Sequence, residues 1–237
     1  MNTWQEDLLN LLLIPETSPE AIFAHIQRAT VQLGFEHVAF GFQAPYPVTN
    51  PNVTLLNNYP TAWQQRYAQA GYLLTDPTVS HGRQSQTPIV WNDQAFASNR
   101  ALWADAQDHG IKTGWAQSCL ERSGAGSLLT LCRRAEPLTT SELQAKEASM
   151  RWLVQVAHVI LSRAVLSQEK ITYAALTKRE REVLQWSADG KSAQDIADIL
   201  NLSKGAVDFH LKNSIQKLNA PNKTAAVARA ALMGWLS

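Results

Sequence analysis

Residues 177–218 read TKREREVLQWSADGKSAQDIADILNLSKGAVDFHLKNSIQKL, and three helix starts can be placed in that stretch from capping chemistry alone. Thr177 stands three residues before Glu180, the spacing at which a hydroxyl and a carboxylate satisfy each other's free backbone N–H groups. Val183, Leu184 and Trp186 then supply an apolar side, and Gly190 closes the helix. Ser192 and Asp195 repeat the signal and open a second short helix, with Ile196, Ala197, Ile199 and Leu200 read as inward. After a tight connection at Asn201-Leu202, Ser203 caps a third helix in which Val207, Leu211, Ile215 and Leu218 recur at helical spacing. Two short helices so closely joined, the second carrying cations on its outer side, have the shape of a helix-turn-helix. Lys204, Asp208 and Lys212 are each four residues apart and fall on one line of that side. The ammonium groups can neutralise phosphates or reach guanine O6 and N7, whereas Asp208 repels phosphate and can accept from cytosine N4. Gly205 costs about 1 kcal/mol relative to Ala within a helix and lets another molecule approach the backbone. A helical hairpin with a solvated charged face would share much of this pattern.

Charge separates this module from what precedes it. The 237-residue chain has a net charge of +1, too small for a strongly basic nucleic-acid coat. Up to Ile171 it holds 12 Lys/Arg against 14 Asp/Glu, and from Thr172 onward 9 against 6. Only the C-terminal end is therefore suited to a polyanion. With 45% hydrophobic residues the chain can bury a sizeable core. No stretch approaches the ~18 consecutive apolar residues of a membrane span. Residues 1–14 carry Glu6 and Asp7 ahead of their leucines, so no secretory signal is expected there. Cys119 and Cys132 lack CxxC spacing and a histidine cluster, which fits a reduced cytoplasmic protein without a metal framework.

In the longer N-terminal part, Thr3–Leu13 has helical periodicity and Ser18-Pro19-Glu20 starts a second helix running to Leu33. Strands are expected at His37–Ala44, Val53–Asn57, Gly114–Glu121 and Gly126–Arg133, the last two forming a hairpin over Ser123-Gly124. Helices are expected after Pro60, over Ala95–His109, and over a long Thr140–Ser167 with Leu143, Met150, Leu153, Ala157 and Ile160 on one side. This order predicts an α+β chain: an α/β/α sandwich with a mainly antiparallel sheet over 1–167, a short linker at 168–175, and an all-α helix-turn-helix domain over 176–237. A last helix over Thr224–Leu236 carries small residues that would admit a second copy or simply pack on their own domain.

The residues Leu176-Thr177-Lys178-Arg179-Glu180-Arg181-Glu182-Val183-Leu184, Trp186, Gly190-Lys191-Ser192, Ile196-Ala197, Leu200, Val207, His210, Asn213, Lys217-Leu218 and Asn222-Lys223 closely resemble the LuxR-type DNA-binding domain. The resemblance implies contacts to double-stranded DNA from Ser192, Ser203, Lys204, Asp208, Lys212 and Asn213, and a homodimer on two-fold-related half-sites. RNA polymerase is a candidate partner. Two departures are Asp195, where the family has Glu, and Ala206, where it has Thr. Loss of that hydroxyl bears on affinity rather than fold.

Within the N-terminal part, Tyr59, Trp63, Tyr67, Asp76, Trp91, Trp103, Gly110 and Gly114 form a constellation. A carboxylate among aromatics is costly unless a donor satisfies it, so a ligand N–H is an attractive partner for Asp76. The same aromatics would also suit an ordinary core. Their spacing resembles the autoinducer-binding domain of quorum-sensing regulators in the same family. That resemblance implies an N-acyl-homoserine lactone as regulatory ligand, with no other cofactor. Trp63 would bond the lactone carbonyl, Asp76 the amide N–H, and Tyr59 with Thr130 the acyl carbonyl. Tyr67 and Trp91 would wall the head group, with Trp103 and Ala106 close by. Val38, Ala39, Phe40, Leu55 and Leu128 are candidates for lining the tail channel, with core packing as the rival reading, and Trp115 would shorten it. An alternative is an orphan regulator that senses another small molecule or none. An enzyme is not expected: no G-x-S-x-G motif, no metal-spaced histidines and no cysteine–histidine pair is present.

Overall fold

The structure is a computed structural model that describes residues 3–14, 17–47, 49, 51–168 and 175–236. The described chain forms two compact units. The first contains α1 (Thr3–Leu12), α2 (Pro19–Gln32), β1 (His37–Gln43), β2 (Val53–Asn57), α3 (Thr61–Gln69) and α4 (Pro77–Gln84). It continues with β3 (Ile89–Val90), α5 (Arg100–Asp108), β4 (Thr113–Leu120), β5 (Gly126–Arg133) and α6 (Thr140–Gln168). The second contains α7 (Lys178–Ala188), α8 (Ala193–Leu200), α9 (Lys204–Lys217) and α10 (Lys223–Leu232). Most of the span expected for the linker, 169–174, lies outside the described residues.

The five strands pair in the order β2-β1-β5-β4-β3, every pair antiparallel. Because side chains alternate across a strand, the register sorts residues between two faces. One face carries Val38, Phe40 and Phe42 of β1, Trp115 of β4 and Leu129 and Leu131 of β5. These pack with Leu8, Ile26, Leu153, Ala157 and Ile160 of α1, α2 and α6 into the main core. The other face carries Ala39 and Gly41, then Leu128, Thr130 and Cys132, then Gly114, Ala116 and Ser118. Most of these are small. Helices α3 to α5 and their connections lie over this second face, completing the expected layers around an antiparallel sheet.

Local chemistry explains where the elements begin. Ser18 Oγ accepts from the Ala21 N–H with Pro19 at the first helical position. The expected helix over Ala95–His109 is shorter, starting at Arg100, because Asn99 caps it by accepting from the Leu102 N–H and leaves the preceding residues in turns. In the second unit both capping boxes form, Thr177 with Glu180 and Ser192 with Asp195, and Ser203 caps α9. Ile199 is exposed rather than inward: Ile196, Ala197 and Leu200 set the buried direction of α8, and Ile199 falls beside it. The last helix ends at Leu232, not Leu236, since the backbone reverses at Gly234 (φ +69°) and the Trp235 N–H returns to the Ala230 carbonyl. Its buried side is Ala226 and Ala230. No described helix is long and apolar enough to cross a membrane.

Candidate ligand site and nucleic-acid interface

In the first unit the second face of the sheet and the helices above it bring the expected ligand residues together. Trp63 on α3, Tyr72, Phe96, and Leu102, Trp103 and Ala106 on α5 form an aromatic cluster with Cys132 of β5, and Tyr59, Tyr67 and Trp91 pack against it. Trp63 meets Tyr67 edge to face with ring centroids 5.6 Å apart. Trp91 meets Trp103 the same way at 6.4 Å, and Trp103 stacks on Phe96 at 4.6 Å. The Trp103 indole N–H donates to Asp93 Oδ1 at 2.8 Å, which fixes the ring that meets Trp91. Trp91 lies directly over Gly114: a Cβ there would come within 2.3 Å of the indole.

Asp76 sits among Tyr67 and the start of α4. Its Oδ1 accepts from the Thr78 N–H at 2.8 Å and the Thr78 hydroxyl at 2.7 Å, so the carboxylate is the N-cap of α4. Its Oδ2 accepts from the Tyr67 hydroxyl at 2.9 Å. Donors from the protein therefore already answer much of the burial cost that the sequence argument assigned to a ligand. Asp76-Pro77 is the same start signal as Ser18-Pro19, and that signal was open to reading. Burial pushes the Asp76 carboxyl above the usual carboxylate range, and the bonds from Thr78 and Tyr67 hold the rise back.

Burial likewise pushes the Tyr59 and Tyr67 hydroxyls up, with Cys132 beside the first and Asp76 beside the second. Yet Tyr59, Tyr67, Asp76, Trp91 and Leu128 all keep part of their surface accessible. Among the described residues neither the Trp63 indole N–H nor the Thr130 hydroxyl has a hydrogen-bond partner. The Trp91 Nε1 is buried without one.

The candidates for the tail channel divide by strand parity. Ala39, Leu55 and Leu128 belong to the face toward α3–α5, while Val38 and Phe40 lie in the main core behind the sheet. Trp115 also lies in that core, so it does not shorten a channel on the other face. Gly82 of α4 fits closely over Leu128 and Ser118, where a Cβ would meet Leu128 at 3.0 Å.

In the second unit Lys204, Asp208 and Lys212 are all exposed along α9. Ser192 and Ser203 use their hydroxyls as acceptors for the Asp195 and Ala206 N–H groups, and Asn213 is half-buried. Burial alone would raise Glu180, but the Lys217 ammonium at 2.7 Å and the Thr177 N–H hold it below the usual range. That pair ties α7 to the end of α9. The periodicity of charges had passed over Phe209, which is 60% exposed on α9.

One histidine does join a serine and a carboxylate: Ser127 Oγ lies 2.9 Å from His158 Nδ1, and His158 Nε2 lies 2.9 Å from Glu121. This set is on the α6 side of the sheet, away from the aromatic cluster.

Comparison with known proteins assigns a family to each unit. Residues 18–160 match the family "Autoinducer binding domain", and residues 174–230 match "Bacterial regulatory proteins, luxR family". The transcriptional activator protein AnoR of Acinetobacter nosocomialis is 38% identical over the full length of both chains. The HTH-type quorum-sensing regulator RhlR of Pseudomonas aeruginosa is 33% identical, covering 94% of this chain and 92% of its own. Among solved structures, Escherichia coli SdiA in complex with octanoyl-rac-glycerol superposes with a TM-score of 0.81 at 32% identity, covering 98% of this chain and 95% of that one. These relatives are transcriptional regulators, not enzymes. The chain belongs to the LuxR family of autoinducer-binding, quorum-sensing transcriptional regulators.

Proposed function

We propose that the first unit binds an N-acyl-homoserine lactone between the small-residue face of the sheet and α3–α5, and that occupancy controls binding of a homodimer to a pseudo-palindromic DNA site. The observation that carries this reading is a set of polar groups gathered around one buried aromatic cluster. Trp63 offers an unengaged indole N–H to a lactone carbonyl. Asp76 Oδ2 accepts from Tyr67, and a carboxylate oxygen has a second acceptor position that an amide N–H can take. Tyr59 and Thr130 reach toward an acyl carbonyl, and Tyr67 and Trp91, the latter backed by Trp103, form the walls. The half-buried Ala39 and Leu128 on the small-residue face of the sheet are the residues assigned to an acyl tail. The ligand is a regulator, and no cofactor enters the reading.

Binding stabilises the form that holds the ligand, by about 2.7 kcal/mol at a hundredfold excess over Kd. The long α6, with Val159 and Leu166 exposed, is the surface proposed for the dimer. Two copies of α9 then stand about one DNA turn apart (~34 Å), which suits a site of roughly 18–20 base pairs. Ser192, Ser203, Lys204, Asp208, Lys212 and Asn213 provide the contacts, in the cytoplasm, with RNA polymerase as a further partner.

The test is direct. Asp76→Asn keeps a good helix cap but removes the charged acceptor, so the fold should persist while affinity for the lactone falls roughly tenfold or more. Calorimetric titration of both proteins measures this, and equal affinities would overturn the assignment. A second reading, a receptor for a different acyl amphiphile, draws support from the octanoyl-rac-glycerol bound by SdiA. Such a ligand has no amide N–H, but its hydroxyls can donate to Asp76 as well, so the identity of the bound molecule and not its response to Asp76→Asn separates the readings. Organic extraction of the expressed protein and mass spectrometry distinguish the two.

A further inference from the structure

Phe209 is a large apolar side chain with 60% of its surface exposed on an otherwise polar helix face. At 3.6 residues per turn, it lies roughly opposite the buried Val207, Leu211 and Ser214 that fix α9 on its domain. It therefore points straight away from the unit, while Lys204 and Asp208 fall to one side and Asn213 to the other. It is in the second turn of α9, within the N-terminal part that a recognition helix inserts into the major groove. The ring stands edge-on to His210 with centroids 5.7 Å apart, which limits its orientation.

Gly205 stands one turn earlier on the same ridge. A Cβ at Gly205 would meet only Ser203 Oγ, at 4.0 Å, so nothing in the domain requires a glycine there. The missing side chain leaves a notch ahead of the ring. Lys204 and Lys212, with Asp208 between them, run along one side of notch and ring and are exposed, and this net positive edge favours a polyanion as the occupant of this face. The apolar feature that a polyanionic duplex presents in its major groove is the C5-methyl group of thymine, which meets side chains by apolar contact.

We propose that Phe209 is a specificity-determining residue that reads a thymine methyl group in each half-site. This rests on the DNA-binding reading of α9 and adds a base to it.

Thymine-to-uracil replacement tests it, because it removes the methyl group and nothing else. The full-length protein, alone and with N-acyl-homoserine lactones of short, middle and long chain added, enriches sites from a random duplex pool. Each thymine of the enriched half-site is then replaced singly by deoxyuridine. Wild type should lose roughly three- to fivefold in affinity at one or two thymines per half-site. Phe209→Ala should bind the parent site more weakly and be indifferent to the same uracils. Phe209→Leu, which keeps an apolar end, should retain part of the discrimination. Identical uracil profiles for wild type and Phe209→Ala, or a wild type indifferent to every uracil, would overturn the proposal. If wild type enriches no duplex, the DNA-binding reading fails and this proposal with it.

Discussion

Glu142 shows what one carboxylate contributes when its partners are in place. Arg133 at the end of β5 holds it with two bonds of 2.8 and 2.7 Å, and Lys146 adds a third at 2.7 Å. The Arg133 guanidinium, then the Lys146 ammonium, bring its pKa down to about 2 from 4.5. A depressed carboxylate stabilises the fold above its unfolded pKa and loses that contribution as pH falls through the folded value. Glu142→Gln should thus cost about 2 kcal/mol at pH 7, after allowance for partial exposure. The difference from wild type should shrink steadily from pH 4.5 toward pH 2, and urea unfolding at several pH values measures it. Trp63 bears on binding instead. Trp63→Phe keeps most of the ring face and removes the indole N–H. Lactone affinity should fall roughly tenfold with little change in the unfolding midpoint of the ligand-free protein, as fluorescence titration and thermal melts would record.

At the scale of elements, two glycines have opposite demands. Gly114 on β4 lets Trp91 lie flat on the sheet, with its ring 2.3 Å from where a Cβ would be. Gly114→Ala must displace the indole, so it should destabilise the first unit by roughly 1 to 3 kcal/mol and weaken the ligand together with it. Gly205→Ala on α9 meets open space and should stabilise the second unit by up to about 1 kcal/mol while weakening DNA binding. Paired melts and mobility shifts check both signs. Elements whose starts are local were legible in advance: Ser18-Pro19, Thr177 with Glu180, Ser192 with Asp195 and Ser203 all cap as expected. The two-residue β3 was not legible, because only its pairing of Ile89 with Ala116 and Val90 with Trp115 makes it a strand. Helix α4 is not among the expected elements, because its start is a cap at Asp76, a residue read from the sequence as a ligand contact. The ligand residues were assembled from a family resemblance; parity decides which neighbours join them, and parity needs the register. That is why Trp115, expected to shorten the channel, is found behind the sheet. Phe209 was legible from the angles of α9, but tracing charges alone passed it over.

At the scale of the whole molecule, an acidic N-terminal part joined to a basic C-terminal part makes the DNA contact electrostatically local. Residues through Ile171 carry 14 acids to 12 bases, and those beyond carry 6 to 9. Affinity should then depend on a few lysines of the second unit, and its salt dependence should count them. The slope of log K against log salt is about −0.9 for each phosphate neutralised on duplex DNA. Lys204 is exposed at the first turn of α9, and if it makes the phosphate contact proposed above, Lys204→Ala should remove one such contact from each bound protomer. If the bound species is a dimer, the slope should become shallower by about 1.8, and if it is a monomer by about 0.9. Phe209→Ala removes no charge and should lower affinity with the slope unchanged. Titrations of one enriched site across a range of salt concentrations measure all three proteins. A monomeric increment for Lys204→Ala would overturn the proposed dimer while leaving the lactone site standing, since within the first unit the dimer is assigned to α6 and the lactone to the opposite face of the sheet.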